Sequence, residues 1–169
     1  MCIMLVMGER CGLNKTLSIV EWHMLAAAGK APPVRILLNG ASMQPLIRWN
    51  RDYVTLAQLK EFPVVGDIVL FCAPNTDRYV VHRVWEIKDG MIMTWGDNCD
   101  KPDGWFPPDA IWGKVVLIER GRKKIHPDPK KGMFWAKIWH QERNIHRLLN
   151  RYKCGIVRRI KKLKVRGAG

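Results

Sequence analysis

Asp89-Gly90 lies between two runs rich in apolar side chains, Tyr79–Lys88 and Met91–Trp95. No other feature restricts the fold of this chain as much. The two central residues of a tight hairpin turn need positive φ, which Asp-Gly tolerates and most pairs do not. A two-residue loop pairs residue 88 with 91, 86 with 93, 84 with 95 and, if the register continues, 82 with 97. Directly opposed residues have Cβ atoms about 4.5–5.5 Å apart. The register therefore predicts that Asp97 faces His82. Further short apolar runs at Val34–Leu38, Asp52–Leu56, Gly66–Phe71 and Ile111–Glu119 read as strands, with Gly113 a bulge in the last. Asp67 reads as a turn or strand-end residue. The chain is expected to be mainly β.

Punctuation divides the rest. Residues 13–28 read as a helix capped by Asn14 or Thr16 and closed by Gly29, with Leu17, Val20, Met24 and Ala27 or Ala28 as its packing stripe. Residues 98–110 hold Pro102, Gly104, Pro107 and Pro108 and read as a loop, Gly121 ends the compact part, and Pro127 and Pro129 mark a linker. From Lys130 the period becomes helical. Trp135, Ile138, Trp139, Ile145, Leu148, Leu149 and Tyr152 form one stripe, with Lys137, Arg143, Arg147 and Arg151 mostly off it. The expected organisation is a helical segment at 1–30, a β domain at 31–121, a linker at 122–129 and a basic amphipathic tail at 130–169.

Charge separates the same pieces. Residues 1–120 hold 13 Lys/Arg against 13 Asp/Glu, so residues 121–169 carry the whole net charge of +14. A basic helix with tryptophan on its apolar stripe suits an anionic membrane surface; the plainer alternative packs that stripe on the β domain. No run approaches the roughly 20 apolar residues of a membrane helix, and none reads as an export signal, so a cytoplasmic or peripheral location is expected. The five cysteines are odd in number and lack C-x-x-C spacing. That argues against a zinc site or disulfide framework and fits a reducing compartment. Cys72 ends a strand and reads as core; Cys99 falls in the site loop, where a reactive thiol is one reading and an inert thiol the plainer one. His23, His126, His140 and His146 form no ligand set, so neither metal nor cofactor is expected.

The chemistry centres on Gly40-Ala41-Ser42-Met43-Gln44-Pro45, directly after the strand at 34–38. Gly40 and Pro45 enforce a tight turn, which can expose a serine hydroxyl and aim backbone N–H groups at one point. Serine needs a proton acceptor to attack an amide, and His82 can serve because imidazole titrates in the working range. A carboxylate would orient it, and the hairpin register offers Asp97. Arg83 reads as the partner of a carboxylate, without direct chemistry.

In order, Gly-x-Ser-Met-x-Pro, Val65-Gly66-Asp67-Ile68-Val69, Val81-His82-Arg83-Val84, Gly96-Asp97-Asn98 and Gly113-Lys114-Val115 resemble the type I signal peptidases. These share a superfamily with the SOS-repressor (LexA-like) autopeptidases. The resemblance spans roughly residues 34–120. His82 stands where many bacterial members carry a lysine base, as in the archaeal and endoplasmic-reticulum branch. The chain departs from both branches in showing no transmembrane anchor, and looks closest to the short anchorless members found in bacteria. The resemblance implies a coiled, partly open β-barrel and serine endopeptidase activity on a precursor peptide or protein with small residues before the cut. It places Ser42 as nucleophile, with its own backbone N–H in the oxyanion hole, and His82 as base. Asp103 becomes the orienting acid and Asp97 a supporting one, with Met43 and Pro45 at the substrate-binding surface. Two other readings stay open. One is a regulatory autopeptidase with a nucleic-acid-binding tail, disfavoured because no helix-turn-helix fits before the barrel. The other is a catalytically silent peptide-binding module.

Overall fold

The computed structural model describes residues 6–7, 18–73 and 78–143. In chain order they form β1 (Val6–Met7), α1 (Ile19–Ala27), β2 (Val34–Leu37), β3 (Tyr53–Ala57), β4 (Ile68–Ala73), β5 (Arg78–Lys88), β6 (Met91–Trp95), β7 (Gly104–Phe106), β8 (Ile111–Arg120) and β9 (Lys123–Ile125). A second helix, α2, covers residues 129–143. β3 and β6 alternate buried and part-exposed residues, as strands with one wet face do, whereas Ile68–Phe71 of β4 is buried throughout.

The strands make one antiparallel sheet in the order β1-β2-β3-β8-β4-β5-β6-β7, with β9 added to β8. It curls into a half-barrel whose two sides are joined by β8. That long strand pairs β4 through Ile111–Lys114 and β3 through Lys114–Glu119. Register shifts at Leu70/Phe71 in β4, Thr55/Leu56 in β3 and Val84/Glu86 in β5 accompany the curl, since each bulge adds local twist. In β8 the extra residue facing β4 is Trp112, beside the glycine expected to bulge.

Helix α1 starts at Ser18, whose hydroxyl accepts from the Glu21 N–H while the Glu21 carboxylate accepts from the Ser18 N–H. This reciprocal cap gives a shorter helix than expected; Asn14 and Thr16 lie outside the described residues. The expected packing stripe is also corrected. Val20 and Met24 are exposed, and the helix instead buries Trp22 completely. The indole N–H donates to the Pro32 carbonyl at 2.8 Å, and the ring lies so close to Gly113 that an added Cβ would stand 2.5 Å from it. A tryptophan buries a large apolar area, and here its indole N–H finds a partner in the Pro32 carbonyl.

Three further expectations are corrected. Residues 98–110 contain β7 and a 3-10 turn at Pro108–Ala110. Gly121, at φ 59°, is the turn of a β8–β9 hairpin, so the β domain extends beyond it. In α2 the buried residues are Met133, Ala136 and His140, whereas Trp135 and Trp139 are exposed. Two neighbouring stripes of that helix both satisfy three- and four-residue spacing, and periodicity alone cannot choose between them. The remainder of the expected tail stripe, from Ile145, lies outside the described residues. The chain divides into two compact units between Phe134 and Trp135. No helix among the described residues is long and apolar enough to cross a membrane.

Candidate active site

The loop from Leu38 to Asp52 carries Ser42 and is held at both ends. Gly40 turns it at φ 146°, and Met43 and Ile47 are buried in the larger apolar cluster. At its far end the Asp52 carboxylate accepts from the Arg48 N–H at 3.0 Å and from Arg120, whose Nη2 lies 2.7 Å away. The same Nη2 donates to the Leu46 carbonyl at 2.8 Å. Burial alone would raise the Asp52 pKa, yet the Arg120 and Arg48 interactions together lower it. The ion pair thus fastens the serine loop to the end of β8.

A second loop, between β6 and β7, closes over the first. The Asn98 N–H donates to the Ser42 carbonyl at 2.6 Å, and its side-chain amide donates to the Ala41 carbonyl at 3.1 Å. Gly96 lies at the crossing point. A Cβ there would stand 2.8 Å from His82 Nε2 and 2.9 Å from the Ser42 carbonyl oxygen. Only glycine lets the imidazole and the serine backbone approach this closely from two sides.

His82 is buried on β5, with Nδ1 2.7 Å from the Asp103 Oδ2. The Thr94 hydroxyl donates to that same oxygen at 2.8 Å, and the Asp103 N–H donates to the Thr94 carbonyl at 2.9 Å. The carboxylate is therefore anchored to β6 by side chain and backbone together. On the other ring nitrogen, Nε2, the neighbour is Cys99 Sγ at 3.8 Å. Burial is the strongest influence on the His82 pKa and lowers it. The hydrogen bonds to Asp103 and Cys99 and their negative charges together outweigh burial, and hold the pKa at about 9.

The register expectation for Asp97 is overturned. Pairing follows 88 with 91 and 86 with 93, but beyond the bulge Val84 faces Thr94 and Arg83 faces Trp95. The extra residue is Trp85, whose ring packs on Trp95 with centroids 4.8 Å apart. A slip of one residue changes the face that a strand presents to its neighbour. Asp97 accordingly meets Arg83, at 2.8 Å from Nε and 2.7 Å from Nη2, while Nη1 donates to the Gly66 carbonyl at 2.9 Å. Of the two acids, the structure brings Asp103 to His82.

Ser42 stands one step short of the expected dyad. Its Oγ is buried and has no hydrogen-bond partner among the described residues, so no bond joins it to His82. Met43 is only 2% exposed and belongs to the core, which removes it from the substrate-binding surface; Pro45 is exposed. Asp67 accepts from the Val64 N–H and pairs with Lys114, as a turn residue would. Sequence reasoning misses Thr94 and the steric role of Gly96, and favours the inert reading of Cys99 over the reactive one. Thr94 left one signal, a polar residue at an inward position of an alternating strand. No cluster of metal-binding side chains occurs among the described residues.

Comparison of this chain with family models, with curated proteins and with solved structures found no match in any of the three.

Proposed function

We propose that this chain is a serine endopeptidase of the signal-peptidase type, cleaving a peptide bond in a precursor peptide or protein. The observation that carries this reading is the joint packing of His82 Nε2 and the Ser42 backbone against Gly96, with Asp103 holding Nδ1. The curled antiparallel sheet is compatible with the coiled, partly open barrel that the ordered motifs imply, which supports the reading. In the proposed reaction the Ser42 hydroxyl proton passes to His82 Nε2 as Oγ attacks the scissile carbonyl. The Ser42 N–H stabilises the oxyanion, and the imidazolium returns its proton to the leaving amine as the C–N bond breaks. Water, deprotonated by the same imidazole, then releases the acyl group. Substrate binding must bring Oγ to Nε2, because they are not hydrogen-bonded in the resting site.

Peripheral attachment to an anionic membrane belongs to the same proposal. In the second unit Trp135 is 56% exposed, and Lys137, two residues on, is exposed as well. Exposed aromatic groups next to basic ones suit that interface. The test is cleavage of an extended peptide library rich in small residues by the full chain and by Ser42→Ala. The proposal predicts products from the wild type and none from the variant. Equal product from both, or none from a folded wild type between pH 6 and 10, contradicts it.

A further inference from the structure

We propose that Cys99 is an activated thiol and a covalent modification site for soft carbon electrophiles, built by His82, Asp103 and Thr94, and that its occupation withdraws His82 from Ser42. The geometry is that of a thiol–imidazole–carboxylate series. Sγ lies 3.8 Å from Nε2, Nδ1 lies 2.7 Å from Asp103, and Thr94 bonds that carboxylate at 2.8 Å. Such a series is what a nucleophilic cysteine requires, because the thiolate attacks and a neighbouring imidazole can take its proton.

The loop holds the sulfur there. The Cys99 N–H donates to the Gly96 carbonyl at 2.9 Å, and the Cys99 carbonyl accepts from the Trp95 indole at 3.0 Å. A Cβ on Gly96 would stand 2.6 Å from Sγ, so the glycine that admits the imidazole admits the sulfur too. Ser42 Oγ, the other nucleophile of the proposed site, has no hydrogen-bond partner among the described residues, whereas Nε2 already faces the thiol. The raised His82 pKa agrees with this, since the Cys99 hydrogen bond and charge are among its causes. The charged groups on the opposite face of β5, Arg83 and Asp97, satisfy each other.

Reaction with iodoacetamide shows the balance. At pH 7 Nε2 already carries its proton, so Sγ reacts as the thiolate paired with the imidazolium, its own proton given to solvent, and forms a bond to the methylene carbon as the carbon–iodine bond breaks. Iodide leaves, and His82 is left as imidazolium beside a neutral thioether. The acetamide group then lies over the nitrogen that Ser42 needs.

The test is timed alkylation of the full-length protein by iodoacetamide at pH 7, with each cysteine followed by peptide mapping. Cys72 is the internal reference, a part-exposed thiol at the end of β4. Cys99 should react at least tenfold faster than Cys72, and faster in the native protein than in urea. His82→Gln should bring it down to the Cys72 rate. Equal rates for the two cysteines in native wild type overturn the proposal whether or not the variant folds, and so does a rate unchanged in folded His82→Gln. Labelling is read without peptide substrate, so its outcome is independent of the serine reading.

Discussion

His82 and Arg83 are neighbours on β5 that serve opposite faces of the same sheet, and each meets an aspartate from the β6–β7 connection. Arg83 is closed: its guanidinium makes two bonds to Asp97 and one to the Gly66 carbonyl, and both side chains are almost wholly buried. His82 is left with work to do. Asp103 occupies one ring nitrogen and the other faces the Cys99 thiol at 3.8 Å, while the Ser42 hydroxyl has no hydrogen-bond partner among the described residues. A pair in which each guanidinium nitrogen is bonded holds two loops in place and cannot react without breaking. A pair whose second nitrogen meets only a long contact to a thiol, near a serine hydroxyl without a hydrogen-bond partner among the described residues, leaves room for the proton transfer that the proposed reaction needs.

The comparison breaks most visibly at Asp103. Replacement with Asn keeps an acceptor for Thr94 but removes the charge that stabilises the imidazolium. Turnover should fall about 10³–10⁴-fold, read from cleavage rates of preparations whose thermal melts show a folded protein. A variant as active as wild type would deny the orienting role.

Next comes the closed pair. Arg83→Ala leaves the Asp97 carboxylate buried and unpaired, which costs about 3–5 kcal/mol. Urea unfolding should show that loss, and Asp97→Ala a loss of similar size. A change under about 1 kcal/mol in either would mean that the pair does not hold the loops.

The smallest effect is in pH dependence, where stability and activity should move in opposite directions. The His82 pKa is raised in the folded protein, so its contribution to stability is complete below about 6.5 and lost as pH rises through about 9. The difference in unfolding free energy between wild type and His82→Asn should therefore shrink across that window. Activity needs the neutral ring and should grow across it. Cys99→Ala removes two of the influences that raise the pKa, so the activity limb should shift to lower pH. Histidine NMR titration of that variant checks the shift without any substrate.

Local features were legible in the sequence and cross-strand features were not. The Asp89-Gly90 turn depends on two residues, and both take the positive φ that the hairpin needs, 50° and 74°. The partner of Asp97 depends on a bulge that forms where Trp85 packs on Trp95, and no reading of β5 alone reports it. Asp103 enters through the resemblance to signal peptidases, because its approach to His82 requires β7, where the prolines and glycine of residues 98–110 read as loop. Trp22 and the buried residues of α2 were missed for a related reason. Each helix has more than one apolar stripe, and packing decides between them.

Reaction of Ser42 with a fluorophosphonate tests the central claim most directly, since it needs a nucleophilic serine but no knowledge of the natural substrate. Peptide mapping of the full-length protein should find the adduct on Ser42, with a rate that climbs as pH approaches about 9 and is lost in His82→Asn. A folded wild type that forms no serine adduct at any pH from 6 to 10, or a His82→Asn variant labelled as fast as wild type, would contradict the account.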